Sequence, residues 1–224
     1  MLLSELLVPP AYSSHSNLNM HLGKYSRPTI LLLLFIFQSC GNESVSLSPL
    51  PPGSTVLAFG DSLTAGYGAN PQQSYPSVLA QLAVLNLING GVSGELSAGG
   101  LSRLPALLEQ YRPLLVILCH GGNDLLRRTG GAAAKTNILA MIELIQQSGS
   151  DVLLVGVPRP GILLSTAELY HEITSETGVA YLPDLMEQVL ADAALKSDAV
   201  HPNAAGYQLI ASEIHRYLVN AGAL

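Results

Sequence analysis

Short apolar runs alternate with amphipathic segments along most of this 224-residue chain. The runs are rich in Val, Ile and Leu, are bounded by Gly, Pro, Asn or Asp, and cover residues 55–59, 84–88, 114–119, 152–157 and 179–182. Continuous apolar strands of this kind are typical of a parallel sheet that is buried on both faces. Apolar residues at helical spacing predict helices over residues 75–83, 101–110, 132–147, 165–177 and 204–219. The alternation therefore predicts an α/β fold, a three-layer sandwich with about five parallel strands and right-handed crossovers.

The composition supports one folded domain and excludes several classes of protein. Hydrophobic residues make up 48% of the chain and charged residues 12%, which suits a buried core and not a disordered chain. The formal net charge of -6, without a cluster of Lys and Arg, argues against nucleic acid as the main partner. The chain has no H-E-x-x-H motif, no Cys/His cluster with zinc spacing and no dinucleotide fingerprint after the second strand. We therefore expect neither a metal nor a cofactor.

The N-terminal region has the features of a secretory signal. Lys24 and Arg27 precede an apolar stretch over residues 30–37, and small polar residues follow it. The stretch is shorter than the roughly 20 residues that span a bilayer comfortably. We interpret residues 20–39 as a signal peptide and residues 1–19 as a misassigned extension in front of it.

The residue after this signal gives a more specific prediction. Cys40 follows a serine directly, which resembles the lipobox of bacterial lipoproteins, where the cysteine is lipidated and becomes the mature N-terminus. Ordinary secretion and a retained membrane anchor are the alternatives. Residues 40–54, rich in Ser, Pro, Gly and Asn, are predicted to form a tether too polar and broken to pack, with the domain over residues 55–224. The expected location is the periplasm or a membrane-anchored lipoprotein of a bacterium.

A serine follows the first predicted strand. Ser62 stands after Gly60 and Asp61, and the glycine relieves crowding where the chain turns sharply toward a helix. A serine at such a turn can present its hydroxyl to solvent while its own N–H faces a developing oxyanion. The alternative is structural, because Asp61 and Ser62 are also ordinary N-cap residues.

The loops after the second and third strands carry further candidates. In an open parallel sheet the ligand site lies outside the carboxyl ends of the strands, where these loops meet. Gly94 lies in a glycine-rich loop that permits positive φ, so its N–H can donate to an oxyanion. Asn123 follows two glycines and offers an amide donor that does not titrate. A tight turn with an Asx cap is the structural alternative for the Asn123 loop.

The fourth candidate block lies near the end of the chain. Asp198 stands three residues before His201, close enough to accept a hydrogen bond from its Nδ1–H and to leave Nε2 free as a base. His120 competes as a base but lacks a carboxylate at this spacing. His171 and His215 lie on amphipathic segments and are interpreted as solvated or packed side chains.

These blocks resemble, in order, the four signature blocks of the SGNH (GDSL-type) hydrolases. They are residues 60–63 (Gly-Asp-Ser-Leu), the loop at Gly94, residues 121–124 (Gly-Gly-Asn-Asp) and residues 198–201 (Asp-Ala-Val-His). The sequence is most similar to the bacterial acyl-CoA thioesterase I, lysophospholipase and arylesterase group. The resemblance implies a flavodoxin-like fold with Ser62 as nucleophile, His201 as base and Asp198 as its orienting partner. The Ser62 and Gly94 N–H groups and the Asn123 side chain would then form the oxyanion hole.

The resemblance also implies the reaction. It predicts a serine esterase or thioesterase for short acyl or aryl esters, acyl-CoA or lysophospholipid, with a small-molecule ester as partner. Alternatives are a carbohydrate or cell-wall O-acetyl esterase and, from another class, a non-catalytic lipid-binding surface lipoprotein. The loop at Pro158, Arg159 and Pro160 corresponds to a region that contributes to acyl binding in that group. Two departures from its pattern are Glu95, where aspartate is common, and His120, where an apolar or acidic residue is usual.

Overall fold

The computed structural model of the chain describes residues 45–127, 130–161 and 164–224. The predicted extension over residues 1–19, the predicted signal peptide over residues 20–39 and Cys40 lie outside the described residues. The predictions for these segments therefore stay predictions.

Strands and helices alternate through the described part of the chain. The strands are β1 (Thr55–Gly60), β2 (Asn86–Gly91), β3 (Leu115–Cys119), β4 (Asp151–Val155), β5 (Pro158–Arg159), β6 (Ser165–Thr166) and β7 (Ala180–Leu182). The helices are α1 (Ser62–Ala65), α2 (Tyr75–Ala83), α3 (Ser97–Tyr111), α4 (Gly122–Leu126), α5 (Gly131–Gln147), α6 (Glu168–Thr177), α7 (Leu185–Ala191) and α8 (Ala204–Asn220). Short 3-10 turns cover Pro71–Gln73 and Ala193–Leu195.

Five strands form one parallel sheet in the order β2-β1-β3-β4-β7. Helix α8 packs against α2 and α7, and α5 packs against α3 and α6, so helices cover both faces. The predicted three-layer, flavodoxin-like sandwich is confirmed. The strand order reverses between β1 and β3, and the carboxyl ends of these two neighbours open the crevice in which such sheets bind ligands.

The inner and edge strands of this sheet differ in burial. Strands β1, β3 and β4 are buried almost throughout, because their apolar residues face helices on both sides. Strand β2 lies at the edge and has two exposed and four half-buried residues, so the prediction of burial on both faces is wrong for it. Its start is also shifted, because Val84 adopts φ +54° and ends α2 instead of opening the strand. Cys119 ends β3 as a buried free thiol, as predicted.

Tertiary pairing changes the start of one predicted helix. Helix α6 begins at Glu168 and not at residue 165, because Ser165–Thr166 pairs antiparallel with Pro158–Arg159. The last helix begins at Ala204, as predicted. Asn203 caps α8 by accepting a hydrogen bond of 3.1 Å from the Gly206 N–H.

The described part of the predicted tether packs against the domain. Leu47 and Leu50 are 5% and 6% exposed, and their N–H groups donate to the carbonyls of Ala221 and Ala223 at 3.3 and 2.8 Å. The expectation that this segment is too polar and broken to pack is therefore wrong for these residues, since both leucines are buried and bond to the backbone just after α8. In residues 45–224, apart from the two short gaps, no helix is both long and apolar enough to cross a membrane.

Candidate active site

Ser62 lies at the carboxyl end of β1, where the strand turns into α1. Gly60 makes this turn possible, because a Cβ there would overlap the carbonyl oxygen of Cys119 on β3. Asp61 is the N-cap of α1 and accepts a hydrogen bond of 3.1 Å from the Leu63 N–H. The capping role considered for this turn thus belongs to Asp61, which leaves the Ser62 hydroxyl free for another partner.

The hydroxyl of Ser62 meets the imidazole of His201. The distance from Ser62 Oγ to His201 Nε2 is 3.0 Å, and His201 Nδ1 lies 2.8 Å from Asp198 Oδ2. A carboxylate only accepts, so Nδ1 carries the proton and Nε2 is left to accept from the serine hydroxyl. The fold thus joins a serine and a histidine that are 139 residues apart in sequence.

Asp198 is oriented by its own loop. Its Oδ1 accepts hydrogen bonds from the N–H groups of Val200 and His201, both at 2.9 Å. Partial desolvation raises the pKa of this carboxyl, but these bonds and the one from the imidazole outweigh it, so the pKa of Asp198 lies below its ordinary value. The carboxylate is therefore ionised at neutral pH and holds the His201 ring in one orientation.

Tyr67 contacts the same histidine, although no sequence motif marked it for a role. Its ring centroid lies 4.4 Å from that of His201, and the Tyr207 hydroxyl donates to the Tyr67 carbonyl at 2.8 Å. The Tyr67 N–H also donates to the Ser62 carbonyl at 3.1 Å. Tyr67 thus contacts the serine through its backbone and the histidine through its ring, which limits their separation.

The other two predicted oxyanion donors lie on the loops that follow β2 and β3. Gly94 follows β2 with φ +78°, a conformation that residues with side chains rarely adopt. Arg127, at the end of α4, donates to the Gly94 carbonyl at 3.1 Å and ties this loop to the next one. Asn123 lies in the first turn of α4, and its Nδ2 donates to Asp61 Oδ2 at 3.3 Å. An amide nitrogen carries two hydrogens, so one of them is left for a ligand.

Asp61 is the buried acceptor that orients this amide. It is 2% exposed, and burial raises its pKa above the ordinary value. The hydrogen bonds that Asp61 accepts from Leu63 and Asn123 offset this only in part. Because Asp61 Oδ2 accepts from the Asn123 nitrogen, the amide presents a donor and not its oxygen to the site.

A cavity of about 360 Å³ joins these groups. Ser62, Gly94, Asn123 and His201 border it, so the structure brings these predicted site residues together. The predicted substrate loop also borders it, through Pro158, Arg159 and Pro160. Much of the remaining wall is apolar and includes Leu63, Leu126, Leu164 and Leu190. The cavity has the size of small-molecule sites.

His120 is not placed to act as the base. Its side chain is fully buried, its Nδ1 accepts from the Gly121 N–H at 2.9 Å, and its Nε2 lies 3.1 Å from Glu95 Oε2. His171 is exposed on α6 and meets the Tyr181 ring edge-on, and His215 is half-buried on α8. Of the described histidines, His201 therefore contacts Ser62 and these three do not. Within the described ranges, no group of three or more His, Cys, Asp or Glu side chains is arranged to hold a metal ion.

Comparison with known proteins connects this geometry to a family. The model of the GDSL-like lipase/acylhydrolase family matches residues 58–209. The chain is 32% identical over 200 residues to an arylesterase of Vibrio mimicus, which covers 84% of this chain and 96% of that protein. It is 28% identical over 203 residues to the thioesterase 1/protease 1/lysophospholipase L1 of Escherichia coli, covering 87% and 92% of the two chains.

A solved structure agrees with these matches. The esterase EstA from a Pseudoalteromonas species, inhibited by monoethylphosphonate, superposes with a TM-score of 0.67 at 29% identity. The superposition covers 75% of this chain and 97% of that one. The match of the family model spans the turn at Ser62, the glycine loop and the Asn123 loop, and extends past His201. The chain therefore belongs to the GDSL-like lipase/acylhydrolase family, the SGNH hydrolases, and is a serine hydrolase that acts on ester bonds.

Proposed function

We propose that this protein hydrolyses carboxylic esters and thioesters by transferring the acyl group to Ser62 and then to water. One observation carries the proposal. His201 lies between its two partners, 3.0 Å from Ser62 Oγ and 2.8 Å from the Asp198 carboxylate. In this arrangement His201 can take the serine proton while the carboxylate stabilises the imidazolium that forms.

The reaction has two halves. Ser62 Oγ attacks the acyl carbon as its proton moves to His201 Nε2, and the collapse of the tetrahedral intermediate breaks the bond to the leaving group. The alcohol or thiol leaves with the proton from His201. Water then attacks the acyl-serine with His201 again acting as base, which releases the carboxylic acid and restores Ser62.

Three donors are proposed to hold the oxyanion of each tetrahedral intermediate: the Ser62 N–H, the Gly94 N–H and the Asn123 side chain. All three residues border the same cavity beside the serine hydroxyl. Donors that are already oriented need no reorganisation as negative charge develops, which is the main reason they lower the barrier. The bond from Asn123 Nδ2 to Asp61 supports such an orientation.

The cavity favours an apolar acyl or aryl group over a sugar. Leucine side chains border it, and the chain has no Trp and 5% aromatic residues, which is a poor platform for a carbohydrate ring. Relatives named arylesterase and thioesterase 1/protease 1/lysophospholipase L1 support aryl esters, thioesters and lysophospholipids as substrates. Pro158, Arg159 and Pro160 border the cavity and are proposed to contact the acyl group.

The test compares the purified protein with its Ser62→Ala variant. The substrates are p-nitrophenyl esters of increasing chain length, palmitoyl-CoA, lysophosphatidylcholine and acetylated xylan. We expect turnover of the acyl esters or thioesters by the wild type and none by the variant. Equal turnover by both proteins would contradict the mechanism. No turnover of any substrate would favour the non-catalytic lipid-binding protein, and turnover of acetylated xylan alone would favour the O-acetyl esterase.

We also propose that the protein is exported and lipidated at Cys40. The support is the order of basic, apolar and small residues before this cysteine in the sequence. Intact mass of the protein purified from bacterial membranes tests the idea. Lipidation predicts a mature chain that begins at Cys40 with added acyl mass, and Cys40→Ser should abolish that mass. A wild-type mass that fits the unmodified chain would rule lipidation out.

A further inference from the structure

We propose that Glu95, Arg103 and His120 form a positioning network that sets the spacing of the two loops carrying Gly94 and Asn123. The described residues that line the cavity include none of these three. The inference rests on the proposed function, because the network would act through the oxyanion donors and not on the substrate itself.

Glu95 is the centre of the network. Its carboxylate accepts from Arg103 Nε at 2.8 and 3.0 Å and from Arg103 Nη2 at 2.7 Å. The same carboxylate lies 3.1 Å from His120 Nε2. The side chains of Glu95 and Arg103 are 12% and 25% exposed, and that of His120 is fully buried. These bonds are therefore largely shielded from competing water, so they restrain the side chains more strongly than surface ion pairs do.

The hydrogen bonds of His120 allow only one arrangement of its protons. The Gly121 N–H donates to Nδ1 at 2.9 Å, so Nδ1 carries no hydrogen. Nε2 must then carry the hydrogen and donate it to Glu95. The imidazole thus links the turn that begins at Gly121 to the loop that contains Glu95, with a neutral ring and no unpaired ring nitrogen.

Arg103 ties this pair to the sheet. Its Nη2 donates to the Gly90 carbonyl at 2.7 Å and to the Gly60 carbonyl at 3.2 Å, at the ends of β2 and β1. Its guanidinium lies 4.1 Å above the Phe59 ring. The strand end that leads to Ser62 and the strand that leads to Gly94 are therefore held by the side chain that also holds Glu95.

The sequence places the network directly next to the proposed donors. Glu95 follows Gly94, and His120 precedes the turn that leads to Asn123. Helix α3 makes room for it, because a Cβ at Gly100 would overlap His120 Nε2. Burial raises the pKa of Glu95, but the bonds from Arg103 and His120 more than offset this and lower it, so the carboxylate is ionised at neutral pH. Buried polar networks often add little to stability compared with apolar packing, which fits a role in positioning.

The first test is Glu95→Gln in the full protein, with Glu172→Gln as the matched control. Glu172 accepts from Lys135 Nζ at 2.7 Å on the outer surface of α6, so the control also removes one carboxylate from an ion pair. We expect Glu95→Gln to lower kcat by about 10-fold or more, less than the loss of a whole donor, with KM changed by less than about threefold. Inhibition by phenylboronic acid, which forms a tetrahedral adduct with serine, should weaken by a similar factor. The control should match the wild type.

Two histidine variants distinguish the two contacts of His120: the bond from Nε2 to Glu95 and the bond that Nδ1 accepts from Gly121. His120→Gln places a donor near the position of Nε2, and His120→Asn places an acceptor near the position of Nδ1. We expect the Gln variant to keep more kcat than the Asn variant, because it keeps the link between the loops. The reverse order would overturn the proposal and assign His120 to the Gly121 turn alone. If Glu95→Gln fails to fold, as a lack of cooperative unfolding would show, the two His120 variants still test the proposal.

A double-variant cycle shows whether the network acts through a donor. In the Asn123→Ala background, Glu95→Gln should cost a smaller factor in kcat than it costs alone, since one of the positioned donors is gone. Full additivity, or a drop in kcat explained by a smaller fraction of sites labelled by a fluorophosphonate, would overturn the inference. Activity retained by Ser62→Ala would instead refute the proposed function, so the two failures are distinguishable.

Discussion

The two sides of Ser62 are held by different means. On the oxyanion side, Glu95, Arg103 and the fully buried His120 link loops that lie far apart in sequence. On the base side, Asp198 is 45% exposed and His201 18% exposed. There the contacts run mostly within one short loop, where the Asp198 carboxylate accepts backbone N–H groups two and three residues ahead.

The difference follows from what each side must hold. The base side needs one ring in one orientation, and a carboxylate three residues away can supply that locally. The oxyanion side needs donors from separate loops to converge on one point, and no local contact can set the distance between loops. A shared buried network can do this, and it depends on the whole sheet being formed. Perturbing each side in turn tests whether this division is real.

The largest effect is expected on the base side. Asp198→Asn keeps the size of the side chain but can donate to Nδ1, which favours the wrong tautomer of His201. We expect kcat to fall by about 10³–10⁴-fold while the melting temperature barely changes, because the loop is exposed. Stopped-flow measurement of p-nitrophenyl butyrate hydrolysis checks this. A loss of only a few fold would show that the loop backbone alone orients the ring.

The next effect is expected on the oxyanion side. Asn123→Ala removes one proposed donor and should lower kcat by about 10²–10³-fold with a small change in KM. The same variant removes a hydrogen bond that the buried Asp61 accepts, so unfolding in urea should also show a modest loss of stability. If KM rose and kcat did not change, Asn123 would bind the ground state and not the oxyanion.

A smaller effect separates backbone strain from function. Gly94→Ala and Gly178→Ala both place a side chain at positive φ, +78° and +66°, and neither would meet a close neighbour. Each should therefore lose about 1–2 kcal/mol of unfolding free energy. Only Gly94→Ala should also lower kcat, because alanine keeps the N–H, a proposed oxyanion donor, but strain at positive φ turns it from its direction. Equal kcat values for the two variants would show that this strain does not displace the Gly94 N–H.

The smallest effect concerns acid stability, and its sign is the same on both sides. The folded state lowers the pKa of Asp198 below 3.8 and that of Glu95 below 4.5. Each carboxylate then adds stability that is fully present above its ordinary pKa and is lost as the pH falls through the lowered value.

Urea unfolding of the wild type, Glu95→Gln and Asp198→Asn at pH 7 and at steps below 4.5 measures this loss. The difference between the wild type and each variant should shrink toward low pH. It should stay under about 1 kcal/mol for the exposed Asp198. A difference that does not depend on pH would mean that the carboxylates stabilise the fold through packing and not through charge.

The sequence predicted most of the inner architecture and less of the periphery. The runs at β1, β3 and β4 are apolar on both faces, and such runs have few alternatives to a buried strand. The hairpin of β5 and β6 was missed because two-residue strands leave no periodicity. Packing of Leu47 and Leu50 was missed because isolated leucines in a Pro- and Ser-rich segment look like those of a linker.

The candidate site divides in the same way. Ser62, Asp198 and His201 were identified from residue type and spacing, and the structure brings them into contact. Tyr67 and Arg103 were assigned no part, because a tyrosine after a turn and an arginine on a helix have many ordinary uses. No sequence pattern predicts that Arg103 reaches the ends of β1 and β2.

By itself, the sequence determined the order of the main strands and helices and the residue types that carry the chemistry, because both are local properties of the chain. The sequence named His201 as the base and His120 as its competitor, and the tertiary structure decided between them by placing His201 against Ser62 and His120 against Glu95. The physical reason is that hydrogen bonds between loops depend on where parallel strands end side by side. That placement follows from the strand order of the whole sheet.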